Sequence, residues 1–336
     1  MTDSQYKDKA MKPAISRLIT KITLVLVVAI GFVAPSTADE PSIEVISYGK
    51  LNAQDVESWT RAAAEYLSDW QADTLGVTWD VGRQTRERFS RDFGFSKHKV
   101  LLSKEQNEQL LGAIEKWMFE SECLQDEYRA MENRHGLRDI SLWVRGGASV
   151  ATAPDPCYDR RMILLARTPD QDEKLAQKIW LHEFYHAHSN YLQNHCVDPR
   201  DPQADRKLDA FEPGRWFAEA TAEYFAIMVS GQLQGIKDPV GNMRKHAKSR
   251  ARSEGTDLFS DLAANSAVAL RLLIERGNYP NLEADAMSGA IFHSCDWKDE
   301  WNLRDNPEAR YAVNNWYQIQ QYGNKWSFKK KALQSP

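Results

Sequence analysis

The sequence predicts an α+β protein, with strand signals gathered in the first half and helical signals dominating the second. Two observations carry this. Short β-prone apolar runs occur at Ile43 to Leu51, Ile140 to Arg145 and Met162 to Ala166. From Asp172 onward, apolar residues recur at helical spacing for most of the remaining chain. The composition, 42% hydrophobic and 27% charged over 336 residues, is that of a globular chain long enough for one large domain or two smaller ones.

The first 38 residues stand apart from that pattern. Lys7, Lys9, Lys12, Arg17 and Lys21 form a positive region, and an apolar run from Ile22 to Ala34 follows, broken only by Thr23 and Gly31. Ser36-Thr37-Ala38 then offers the small residues that a signal peptidase reads. The run is 13 residues long, short of the roughly 20 needed to span a bilayer. Residues 1–38 therefore read as a cleaved signal peptide, directing export to the periplasm or beyond and leaving no stable membrane span. Left uncleaved, the same segment would be a signal anchor. Residues 39–336 read as one domain in two parts, an α+β lobe over 39–195 and a helical lobe over 196–336.

Charge excludes one broad class. The whole chain carries a formal charge of −4, and its leader holds five basic against two acidic residues, so the remainder is more acidic still. Mild acidity argues against general nucleic-acid binding. The one basic stretch, Arg244 to Arg252, has no interleaved aromatics and reads as a solvated face. Four cysteines follow the leader, Cys123, Cys157, Cys196 and Cys295, with no CxxC pair among them. In an oxidising compartment an even count predicts two disulfides, whose pairing stays open.

Individual elements follow from local signals. A helix is predicted from about Asp55 to Trp70 behind an Asn52 or Asp55 cap, because Val56, Trp59, Ala63, Tyr66 and Leu67 share a face. Ser103 with Gln106 fits a capping box opening a helix to about Glu122. A helix over 172–195 comes next. The stretch Asn194 to Gly214, with Pro199, Pro202 and Pro213, breaks the helical signal and reads as a long, functional loop.

The chemistry lies in the 172–195 helix. His182-Glu183-Phe184-Tyr185-His186 places two imidazoles four residues apart, on one helix face, where they can share a metal ion. Zinc suits two neutral imidazoles plus one carboxylate, with a fourth position left for water. Glu183 is then placed to take a proton from that water without being a ligand. A three-histidine site fails, since the required positions hold Ser189 and Leu192; His188 points off the face and His195 is out of register. The third ligand lies downstream, in the helix Trp216-Phe217-Ala218-Glu219-Ala220-Thr221-Ala222-Glu223-Tyr224, whose two carboxylates are four apart. Spacing alone leaves open which of them ligates.

HExxH followed by this Trp-Phe-x-Glu-Ala-x-Ala-Glu-Tyr segment resembles the gluzincin group of zinc metallopeptidases. The resemblance covers about residues 175–230. It implies a zincin-like fold, a small mixed sheet with an active-site helix followed by a helical lobe. It further implies His182, His186 and Glu219 as zinc ligands, Glu183 as general base, and Glu223 as the residue that orients a ligating histidine. The substrate implied is a peptide or protein; the alternative is a zinc-bearing zincin-like domain that hydrolyses something else or serves as a scaffold. Gluzincins also place a Tyr or His donor near the developing oxyanion, for which His293, Tyr311, Tyr317 and Tyr322 are candidates. In zincins an edge strand pairs with the substrate, and Met162–Ala166 is the candidate here. The connector of 32 residues between His186 and Glu219 is longer than in compact members.

Overall fold

Strands and helices are interleaved through the first half of the chain. The computed structural model describes residues 41–88, 96–120, 127–152, 160–196 and 214–334. The predicted leader, Cys123, Cys157 and most of the Asn194–Gly214 stretch lie outside the described residues. The order is β1 (Ile43–Tyr48), α1 (Ala53–Ala64), β2 (Asp73–Arg88), β3 (Ser96–Val100), α2 (Lys104–Phe119), α3 (Glu127–Gly146), β4 (Val150–Thr152), β5 (Arg160–Arg167) and α4 (Glu173–Leu192). The second half is α5 (Arg215–Leu233), α6 (Pro239–Ser253), α7 (Leu262–Arg276), α8 (Leu282–Ser288), α9 (Trp297–Glu300), α10 (Pro307–Asn315), the hairpin β6 (Ile319–Tyr322) and β7 (Lys325–Phe328), and α11 (Lys330–Leu333). The α+β expectation holds, with a small mixed sheet ahead of a helical region. No helix among the described residues is long and apolar enough to cross a membrane.

The main sheet runs β1-β2-β5-β4, with β1, β2 and β5 parallel and β4 antiparallel to β5. The second half of β2 turns to pair with β3. Alternation along the strands sorts side chains to two faces. Met162, Leu164 and Ala166 of β5 join Leu75, Val77 and Trp79 of β2 beneath α2 and α3. Ile163 and Leu165 face the other way, onto α1, α4 and the helical region.

Two strand expectations are corrected. Ile140 to Arg145 belongs to α3, where buried Ile140 and Val144 sit one helical turn apart; so short an apolar run fits either period, and packing decides. Met162–Ala166 is indeed a strand but not an edge, because β2 and β4 flank it on both sides. The edge is β4. The sequence reading also missed β2, whose polar second half, Arg83 to Arg88, hides the strand signal.

Local caps explain where the helices start. Asn52 accepts from the Gln54 amide, and Ser103 with Gln106 forms the expected capping box. Asp172 opens α4 by accepting from the Leu175 amide. One glycine sets how α4 meets the sheet. A Cβ on Gly76 would lie 2.5 Å from the Trp180 ring, so only glycine lets that indole rest on β2. The indole N–H then donates to Thr60 of α1 at 2.9 Å, tying α1 to α4.

Candidate metal centre

Helix α4 has an apolar side and a polar stripe. Trp180, Leu181, Phe184 and Tyr185 are buried and hold the helix in the core. The Tyr185 hydroxyl donates to the Ala286 carbonyl, and burial pushes its ionisation above the usual range. On the stripe, Lys178, His182 and His186 fall four apart. Helix α5 answers with Arg215, Glu219 and Glu223, also four apart. Lys178 meets Glu223 and His186 meets Glu219, so the helices run antiparallel and the stripes form a ladder.

Three rungs converge. His182 Nε2 and His186 Nε2 are 3.0 Å apart, and Glu219 Oε2 lies 3.4 Å from the first and 3.7 Å from the second. Ligands at 2.0–2.1 Å around a tetrahedral ion would stand about 3.3–3.4 Å from each other. The three observed separations bracket that value. A second aspect of the fit is chemical. Glu223 Oε2 lies 3.2 Å from His182 Nδ1, and as a carboxylate it can only accept. The Nδ1–H therefore donates to Glu223, so that when the ring is neutral, the form a metal binds, its Nε2 lone pair is aimed at the other two donors. Glu223 in turn accepts from the Lys178 ammonium at 2.5 Å.

Electrostatics describe the same pocket. Burial disfavours a charged His182, yet the carboxylates of Glu219 and Glu223, with the nearby charge of Glu183, raise it from 6.5 to about 10. Burial acts against ionised Glu219 and Glu223 as well, but their histidine contacts and, for Glu223, Lys178 hold both below the usual carboxylate range. The centre thus favours positive charge between its carboxylates, which is what a divalent cation supplies.

The predicted residues therefore separate into groups. His182, His186, Glu219 and Glu223 come together as the sequence reading arranges them, and Glu183 is half-buried beside His182. The oxyanion candidates make their contacts elsewhere. His293 faces Asp69 at 3.4 Å, Tyr311 donates to the Lys331 carbonyl, Tyr317 packs on Trp316, and Tyr322 is exposed on the hairpin. His188 donates from Nε2 to the Ser288 carbonyl at 3.1 Å, off the ladder. Lys178 was missed as part of the centre; its signal is the same four-residue register, one turn before His182.

Two anchors position the helix bearing Glu219. The Trp216 indole donates to the Trp301 carbonyl at 2.7 Å, and the Phe217 ring stacks on Trp301 at 4.0 Å between centroids. Gly214 packs so closely on Trp297 and Lys298 that a Cβ there would meet them at 3.0 and 3.1 Å. Beyond the other end of α4, Cys196 is bonded to Cys295, with Cα atoms 5.4 Å apart. One of the two expected disulfides is therefore present among the described residues. No match is found to any protein-family model, curated protein or solved structure compared with this chain.

Proposed function

We propose that this chain is an exported zinc-dependent peptidase of the gluzincin type, with a zincin-like arrangement of sheet, active-site helix and helical lobe. The observation that carries the proposal is the convergence of His182, His186 and Glu219 at separations of 3.0, 3.4 and 3.7 Å. Bound between them, zinc supplies Lewis-acid polarisation of a scissile carbonyl and acidity to an attacking water.

The chain's own residues do the rest. Glu223 fixes the tautomer and ring orientation of His182, and Lys178 holds Glu223 ionised and in place. Glu183 takes the proton from the attacking water and returns it to the leaving amine. Strand β4 favours a peptide as the substrate. It packs against α4, and among the described residues only β5 pairs with it. Its outer edge offers backbone groups to which an extended peptide can add as a strand.

The test uses the full chain expressed with disulfides permitted, its metal content by mass spectrometry, and a quenched-peptide library. About one zinc at this centre, peptide hydrolysis, and loss of hydrolysis with zinc retained in Glu183→Gln are expected. Full hydrolysis by Glu183→Gln, or a folded protein that takes up no zinc at this centre, would overturn the proposal.

A further inference from the structure

A second group of metal-binding side chains lies beyond the C-terminal end of α4. His195 and Cys196 belong to a short 3-10 turn after that helix, and Cys295 sits in the turn before α9. The three ligand atoms lie within 4.8 Å of one another. His195 Nε2 stands 3.4 Å from Cys196 Sγ and 3.8 Å from Cys295 Sγ. His195 and Cys295 are exposed, so the cluster is open to solvent, unlike the ladder between α4 and α5.

We infer that reduction of Cys196–Cys295 converts this cluster into a second metal site, held by His195 and two thiolates and selective for a thiophilic divalent ion such as zinc. The distances support this. In a tetrahedral site with Zn–S near 2.3 Å and Zn–N near 2.0 Å, sulfur and nitrogen ligands stand about 3.5 Å apart. The two sulfur–nitrogen separations of 3.4 and 3.8 Å already bracket that value. Only the two sulfurs must part, to about 3.8 Å, once their bond is broken. Two cysteines and one histidine with a fourth position open to water form a known zinc donor set. Two thiolates select zinc or another thiophilic ion over magnesium or calcium.

The redox step balances with a dithiol reductant. Its thiolate attacks Sγ of Cys295, the more exposed residue of the pair, and Cys196 leaves as a thiolate whose sulfur stands 3.4 Å from His195 Nε2. The reductant's second thiol then displaces Cys295 and closes its own disulfide. Two electrons and two protons have passed to the cysteines, and metal binding releases the thiol protons.

This inference is independent of the proposed peptidase centre, and cobalt distinguishes the two. Thiolate ligands give cobalt(II) a near-ultraviolet sulfur-to-metal charge-transfer band that a histidine–carboxylate site lacks. The full chain is reduced with a phosphine, separated from it, and titrated with cobalt(II) and with zinc beside the oxidised protein. One additional metal per chain and the thiolate band are expected on reduction only. Both should vanish in Cys196→Ser and Cys295→Ser and survive in a Cys123→Ser/Cys157→Ser variant. His195→Ala should weaken the affinity by more than about tenfold, since even loss of a ligand's supporting partner costs that much. Re-oxidation should expel the metal. Absence of the band in the reduced protein, or its persistence in Cys196→Ser/Cys295→Ser, would overturn the inference. Failure of the peptidase reading alone would remove only the metal bound in the oxidised state.

Discussion

His182 and His188 lie six residues apart on one helix and meet opposite environments. His182 faces two carboxylates of α5 and is raised to about 10. His188 faces Trp70 and the Ser288 carbonyl; burial lowers it to about 4, against the weaker pull of that carbonyl. Gly289, at φ 79°, makes room for the His188 ring, which a Cβ there would approach to 2.7 Å. Both rings are largely removed from water, so desolvation penalises the charged form of each. The neighbouring charge separates them: the carboxylates beside His182 favour its charged form, and no carboxylate contact offsets burial at His188 to the same degree.

The largest expected effect breaks the charged side. Glu183→Gln should lower peptide hydrolysis by about 10²–10⁴-fold while bound zinc is unchanged, measured by steady-state kinetics beside metal analysis. Equal loss of zinc would instead make Glu183 part of the binding set. Glu223→Ala, which frees the Nδ1–H of His182, should weaken zinc affinity by about 10–100-fold in a competition titration. Unchanged affinity would show that the ladder contact is only structural.

The pH dependence of stability sharpens the contrast, because the two histidines act with opposite sign. His182 is raised, so in metal-free protein its contribution is full below pH 6.5 and is lost as pH rises through about 10. His188 is lowered, so its contribution is full above 6.5 and is lost as pH falls through about 4. The second shift corresponds to at most about 3 kcal/mol. Urea unfolding of metal-free protein at pH 8 and pH 4 should therefore show a smaller acid loss in His188→Gln than in wild type. An identical loss in both would place the acid sensitivity elsewhere.

The smaller effects concern how α4 is seated. Gly76→Ala forces a methyl against the Trp180 ring and should cost about 1–3 kcal/mol in urea unfolding. Asn52→Ala removes the cap of α1, remote from the ladder, and should cost about 1 kcal/mol with zinc affinity unchanged. A drop in zinc affinity in the second variant would mean that α1 sets the ladder as well as the core.

Much of the centre was legible in the sequence, for a local reason. The spacing of His182 and His186, and of Glu219 and Glu223, puts each pair on one face of its own helix whatever that helix packs against. Lys178 shares that register, yet a lone lysine on a helix gives no sign that it faces a carboxylate. In the sheet, Ile43–Tyr48 was readable because Ile43, Val45, Ile46 and Tyr48 make most of it apolar and β-prone. Much of β2 was hidden because its second half leaves the core and turns polar. Ile140–Val144 was ambiguous because four apolar residues within five satisfy strand and helix periods alike.

The sequence by itself determined which side chains share a helix face, where the helices cap, and that two imidazoles and two carboxylates stand one turn apart in separate helices. Those properties follow from backbone geometry within a few residues. Only the tertiary structure decided that α4 and α5 run antiparallel with those faces opposed. It also decided that Glu223 takes His182 Nδ1 while Glu219 faces Nε2, that β5 lies inside the sheet with β4 at one edge, and that Cys196 reaches Cys295. Each of these joins residues far apart in the chain, where the burial of Trp180, Phe184, Trp216 and Phe217 selects one packing that no local period encodes.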